Sequence, residues 1–236
     1  MKKIERIKTK LNISKQRNLS INGKILILKS YALSQLLYVA GVIHTPESII
    51  KEIELLAYNF LWNGKQHKVK KKVIVQDYEW GGCKMVDFET MNKIQKIKLI
   101  IKFFTSEESD WKLTMKAILG VDDLPLFLKS NFRIPVNTTL FYEDVLRFWK
   151  EVKYKDTTSS KDIKNQYLFY NQHITINKQV IYQKSLIEKG ILQVGHIIRQ
   201  NGSLKSFNEV CTEYDLNQSD IMIYSGITKS VSSVWK

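Results

Sequence analysis

Cysteine is scarce. Cys83 and Cys211 are the whole complement of a 236-residue chain, which excludes a disulfide framework and leaves no zinc-ligand spacing. The histidines, His44, His67, His173 and His196, are scattered without an HxxxH pair, and no P-loop, nucleophile elbow or metal triad occurs. No catalytic residue, metal or cofactor is therefore expected. Long apolar runs are missing too. The longest, Ile25 to Ile43, is interrupted by Lys29, Ser30, Ser34 and Gln35, whereas a membrane span needs about 20 mostly apolar residues. That stretch reads as a buried core helix, with no membrane partner. The basic N-terminal stretch is not followed by an apolar h-region, so no secretory signal is expected and the reading is intracellular, nucleus or cytoplasm. Arginine is sparse: Arg6, Arg17, Arg133, Arg147 and Arg199. Lysine is a flexible point charge, while arginine reads guanine edges and clamps phosphate with a planar fork. Any nucleic-acid partner would thus be held through its backbone, with little sequence readout.

What is present is charge and enough apolar matter for a core. Hydrophobic residues make up 44%, which argues against general disorder, and the length suits one ordinary domain or two small ones. The net charge is +14 and its distribution is uneven. Residues 1–104 hold 20 Lys+Arg against 8 Asp+Glu, whereas residues 105–236 hold 17 against 15. That asymmetry points to a polyanion partner for the first half. The competing explanations are a merely charged surface, or a codon bias toward lysine.

Hydrophobic spacing predicts a mainly α fold. Ile4, Ile7 and Leu11 stripe a basic helix over 3–13. Ser20 is the candidate N-cap of a long helix to about Val42, with Ile25, Leu28, Ala32, Leu36 and Val39 at helical spacing. Thr45-Pro46-Glu47 predicts the next start, with Thr as cap and Pro in the first turn, and Asn63-Gly64 its end. Val73-Ile74-Val75 reads as a short strand and Trp80-Gly81-Gly82-Cys83 as a turn. Asp87 caps a helix from Phe88 to Phe104. Short helices are expected near 111–119 and 139–152, a loop over 153–164, and a strand pair within Ile174–Ile181. Two short helices split at Gly190 follow, then a capping box at Ser206 to Glu209 and a last helix at Ser219–Ser225. The division expected is a helical bundle over 1–62, a basic linker with a short β element over 63–86, and a second helical domain over 87–236 with one short β-hairpin.

The spacing Arg17-x-Leu19-Ser20-x-x-Gly23-Lys24, then Lys29 and Leu37-Tyr38, resembles the segment after the polymerase core of LINE-type non-LTR retrotransposon reverse transcriptases. Phe60-Leu61-Trp62-Asn63-Gly64-Lys65 and Gly81-Gly82 with Val86-Asp87-Phe88 are similar to that family in the same order. So are Leu168-Phe169-Tyr170-Asn171, Gly190-Ile191, the helix from Phe207, and Val234-Trp235-Lys236. The chain departs from the pattern at Ser14 and Ser232, where the family often has Trp and Pro, and at Gly195, where it often has Asp. The resemblance implies a thumb-like bundle and a wrist-like C-terminal domain that grip template–primer hybrid. Fingers and palm are missing and Met1 falls inside the expected thumb, which implies a truncated copy or an internal start. The chain would then be an enzyme's nucleic-acid-binding fragment and not itself an enzyme.

Two places carry the expected contacts with RNA, DNA or RNA–DNA hybrid. At Lys15, Arg17, Ser20, Gly23 and Lys24, a helix start offers free N–H groups and the positive dipole end, and Gly23 lets a phosphate approach. The competing reading makes Gly23 a helix-packing position among solvated charges. At Lys65, Lys68, Lys70, Lys71 and Lys72, beside His67, a loop would track phosphates, flanked by Trp62 and Trp80 that either stack on bases or belong to the core. Gly120-Val121-Asp122-Asp123 mimics the aromatic-x-Asp-Asp polymerase box, but Gly120 replaces the aromatic residue and Leu124-Pro125 follows. A capping role suits it better. A separate alternative is a helical protein-interaction scaffold in which the Ile25–Ile43 helix docks a partner. Oligomeric state is not legible.

Overall fold

The computed structural model describes residues 2–15, 17–65, 69–156 and 163–234. His67, Lys68, Trp235 and Lys236 lie outside the described residues. The fold is mainly α with one two-stranded antiparallel sheet. It divides into two compact units, residues 1–106 with 139–149, and residues 107–138 with 150–236.

In the first unit, α1 (Lys2–Lys15) buries Ile4, Ile7 and Leu11. Ser20 opens α2 (Ile21–Ile27), its Oγ accepting the Gly23 N–H at 3.2 Å. The helix continues through a π turn (Leu28–Leu33) into α3 (Ser34–Ala40). Ser30 and Ser34 hydroxyls donate back to the carbonyls of Leu26 and Ser30, a pattern that accompanies departures from the α ladder. Ile25, Leu28, Ala32, Leu33, Leu36 and Ala40 are buried, so this run is core. Next come α4 (Glu47–Leu61), α5 (Lys71–Val75) and α6 (Phe88–Thr105), the last capped by Asp87 at the N–H of Thr90.

Two local expectations need correction. Pro46, not Thr45, occupies the cap position of α4, and no side chain caps that helix; Thr45 is buried. Val73-Ile74-Val75 is helical rather than a strand. Lys71 is tied to Glu54 and Asp87, and only Ile74 of the three points fully inward. Tertiary anchoring here overrides the β preference of a β-branched run. Residues 69–86 also pack into the first unit through Ile74 and Met85, so that stretch is part of a core and not a linker.

Residues 139–149 join the same unit by a charge cluster. Lys96 is fully buried, and its Nζ donates to Asp144 Oδ2 at 2.8 Å. His44 Nδ1 reaches the same oxygen at 2.8 Å and Arg147 Nη2 reaches Oδ1 at 2.6 Å. A carboxylate only accepts, so Nδ1 carries the hydrogen. Burial alone would raise the Asp144 pKa, but the bonds from Lys96 and His44 outweigh it and hold the carboxyl below its ordinary value.

The second unit begins with α7 (Asp110–Leu119), which Gly120 ends in the left-handed region, and α8 (Leu124–Lys129), which Asp123 caps by accepting the Leu126 N–H at 2.9 Å. The Asp122-Asp123 pair is thus a helix start; both backbone N–H groups also donate to the Tyr170 hydroxyl. Helix α9 (Leu140–Asp156) contributes residues up to Trp149 to the first unit and from Lys150 to the second. Lys153 donates to the carbonyls of Lys129 and Ser130 at the end of α8, and burial, then the neighbouring Lys150, lowers its pKa to about 8. Strands β1 (Thr175–Ile176) and β2 (Gln179–Val180) pair Thr175 with Val180, turning through Asn177 and Lys178 at positive φ. Helices α10 (Lys184–Glu188), α11 (Phe207–Tyr214) and α12 (Ile221–Val234) complete the unit. The Ser206–Glu209 capping box opens α11 as expected, while α12 runs well past the expected Ser225. Leu168, Phe169, Ile174, Leu186, Val210 and Ile227 form its core.

Candidate nucleic-acid interface

The first unit gathers its expected contact residues at two points along α4. The first point is where α1 ends, α2 begins and α4 ends. Helix α4 stops because Asn63 and Gly64 take positive φ, which leaves the Leu61 carbonyl beyond the helix ladder. Lys24 fills that gap. It is 7% exposed, and its Nζ donates to Leu61 O at 3.0 Å and to Asn63 Oδ1 at 2.8 Å. A cation at a helix C-terminus is favoured by the macrodipole. Burial, and secondarily the charge of Lys15, lowers the Lys24 pKa.

The Arg17–Lys24 and Phe60–Lys65 motifs are therefore two sides of one internal contact. Lys24 does not face a solvent-borne phosphate as the sequence reading expected. Around it Arg17, Ser20 and Lys65 are exposed, while Lys15 and Gly23 are half-buried. A Cβ built on Gly23 would find Ser20 and Leu19 as its nearest neighbours, at 3.5 Å or more.

The second point is α5. Lys71 Nζ reaches Glu54 Oε1 at 2.5 Å and Asp87 Oδ1 at 2.7 Å. Burial works against its charge, but these carboxylates prevail and raise its pKa. Lys71 is thus a structural anchor. Because neighbours on a helix point about 100° apart, anchoring Lys71 turns Lys72 outward; Lys72 and the extended cap residue Lys70 are both exposed. Glu54 precedes Leu61 by two turns of α4, so the two points lie about 10 Å apart. That is roughly three base-pair steps of about 3.4 Å along a duplex axis.

The tryptophans separate. Trp62 is half-buried against the first core, and its Nε1 is shielded from solvent. Trp80 is 76% exposed.

The sequence reading passed over further cations on α1. Lys3, Arg6, Lys8 and Lys10 are exposed, with Glu5 the acid of that helix. Lys10 Nζ sits 5.0 Å from the Tyr31 ring centre, and its hydrogen bond lowers the Tyr31 pKa. The basic stripe over 3–13 was the available signal.

No protein-family model matches the chain. Over 126 residues it is 24% identical to a protein of Arabidopsis thaliana described as a ribonuclease H protein; the match takes in 51% of this chain and 20% of that protein. The chain therefore spans about one fifth of the curated relative it matches. Among the described residues, no helix is long and apolar enough to cross a membrane.

Proposed function

We propose that this chain is a nucleic-acid-binding segment from the C-terminal side of a retroelement reverse transcriptase, gripping template–primer hybrid through its phosphates and contributing no polymerase carboxylates. The observation that carries the reading is the sorting of lysines in the first unit. Lys24 and Lys71 are spent on internal carbonyls and carboxylates, while Arg17, Lys65, Lys70 and Lys72 stand exposed at two points of one helical frame. The similarity to a ribonuclease H protein supports a retroelement origin. The scaffold alternative took the Ile25–Ile43 helix as a docking face; Ile25, Leu28, Ala32 and Leu36 of that run are core, while Leu26, Tyr38 and Val42 are exposed.

The test is binding of the full chain to RNA–DNA hybrid and to single-stranded RNA, followed by fluorescence anisotropy across a salt series. Affinity should fall steeply with salt, and Lys70→Glu with Lys72→Glu should flatten the log–log slope by about 1.8, near 0.9 per lost phosphate contact on duplex. Protein complexes that survive nuclease, with no salt-dependent binding of nucleic acid, would sink the reading.

A further inference from the structure

We propose that the turn carrying Trp80 is a stacking platform for an unpaired base, the point where this chain takes hold of single-stranded nucleic acid. The inference rests on the nucleic-acid reading above and adds a site to it.

A tryptophan normally buries most of its large apolar surface. Trp80 leaves 76% of its surface in water, and its neighbour Tyr78 leaves 56%. The backbone beneath them is tightly specified. Asp77 caps the short 3-10 turn Tyr78–Trp80 by accepting the Tyr78 N–H at 2.7 Å. Gly81 follows at φ +72°, a region unfavourable to residues bearing Cβ. At Gly82 a Cβ would lie 2.0 Å from the Gln76 carbonyl oxygen, so only glycine fits. The chain then doubles back onto the end of α5: Gly82 N–H donates to Asp77 O, Lys84 N–H to Gln76 O, and Cys83 and Met85 N–H to Ile74 O. Lys84 reinforces the loop with an ion pair to Asp77 at 2.8 Å and lies 5.3 Å from the Tyr78 ring centre. Two glycines, a cap and four backbone bonds thus hold an indole that is largely uncovered by the described residues.

The surroundings indicate what covers it. The turn closes on α5, a helix only about 7.5 Å long. That helix starts beside exposed Lys70 and carries exposed Lys72. An exposed aromatic face beside exposed ammonium groups matches a ligand that offers flat bases and a phosphate chain together. A protein partner would be expected to bring carboxylates for those lysines. A paired duplex would hide its base faces and leave the indole unused.

The experiment compares the full chain with Trp80→Ala, Trp80→Phe and Lys70→Glu/Lys72→Glu, on labelled single-stranded RNA and on a blunt RNA–DNA hybrid across a salt series. Far-ultraviolet circular dichroism and the thermal midpoint confirm that the exposed substitutions leave the fold intact. Trp80→Ala should weaken single-strand binding by about 5- to 150-fold with an unchanged salt slope, since stacking releases no counterions. Trp80→Phe should retain most of the affinity, and the blunt hybrid should bind all three Trp80 forms alike. If Trp80→Ala binds single strands as tightly as the unmutated chain while the lysine variant still loses affinity, the platform is wrong and the nucleic-acid reading stands. If Trp80→Ala instead changes the sedimentation behaviour and not the RNA affinity, the turn is a protein contact and the proposal falls. If the unmutated chain binds neither probe, both fall together.

Discussion

The two units differ in how far their cations are balanced by acids. In the second unit cations find acids nearby: Arg199 with Glu209, Lys205 with Glu213, Lys189 with Asp215 and Lys184 with Glu188, all at or near the surface. The first unit has surface pairs as well, Lys51 with Glu47 and Lys93 with Glu89, but it also turns Lys96 and Lys24 inward and leaves Arg17, Lys65, Lys70 and Lys72 exposed. A codon-driven lysine excess would load both units alike. By unit, the first holds 21 Lys+Arg against 10 Asp+Glu and the second 16 against 13. The lesson is that a lysine count says little until each ammonium is assigned to an interior or an exterior task.

The contrast can be broken most forcefully at Asp144. Asp144→Ala leaves Lys96 buried without a counter-charge, and urea unfolding should show a loss of about 3–5 kcal/mol. A loss under ~1 kcal/mol would mean that the cluster is solvated. Acid should act on the same group. Its folded pKa lies below the ordinary value, so its stabilisation is complete above about pH 4, the unfolded carboxyl pKa, and fades as pH falls through the folded pKa. A melting series from pH 6 to pH 2 should show that decline in the unmutated chain and a shallower one in Asp144→Ala.

Lys24→Met comes next, removing charged hydrogen bonds to the end of α4 at a cost of about 2–3 kcal/mol. The effect should be insensitive to salt, which separates an interior lysine from an exterior one. Lys178→Glu with Lys184→Glu, in the second unit, should leave hybrid binding unchanged where Lys70→Glu with Lys72→Glu weakens it; equal losses would erase the distinction between the units. Smallest of all, Lys189→Ala should leave the unfolding midpoint within experimental scatter, because its partner Asp215 is solvated.

Much of this frame was legible beforehand. Ser20, Asp87, Asp123 and the Ser206–Glu209 box cap helices as their chemistry requires, and the alternation over Ile174–Ile181 forms the hairpin. These are local matters, decided within four residues. What was not legible is long-range. Nothing in Val73-Ile74-Val75 announces that Lys71 will pair with Glu54, seventeen residues away, and hold the run helical. Nor does Lys24 reveal that Leu61 will end a helix beside it. The candidate interface suffered for the same reason. Residue type marks a cation, but only the fold says which face it is on, so Lys24 and Lys71 changed roles while Trp80 proved more exposed than its type suggested.

The return of residues 139–149 to the first unit has a consequence for how the protein is made. A ribosome delivers the chain in order, yet the first unit cannot be finished when residue 106 has emerged, because the carboxylate for Lys96 is still untranslated. At 5–20 residues per second the stretch from there to Trp149 takes roughly 2–9 s. For that interval the nascent bundle carries an unmatched ammonium where its interior should close, which invites a chaperone and sets a lower limit on where any shortened version could end.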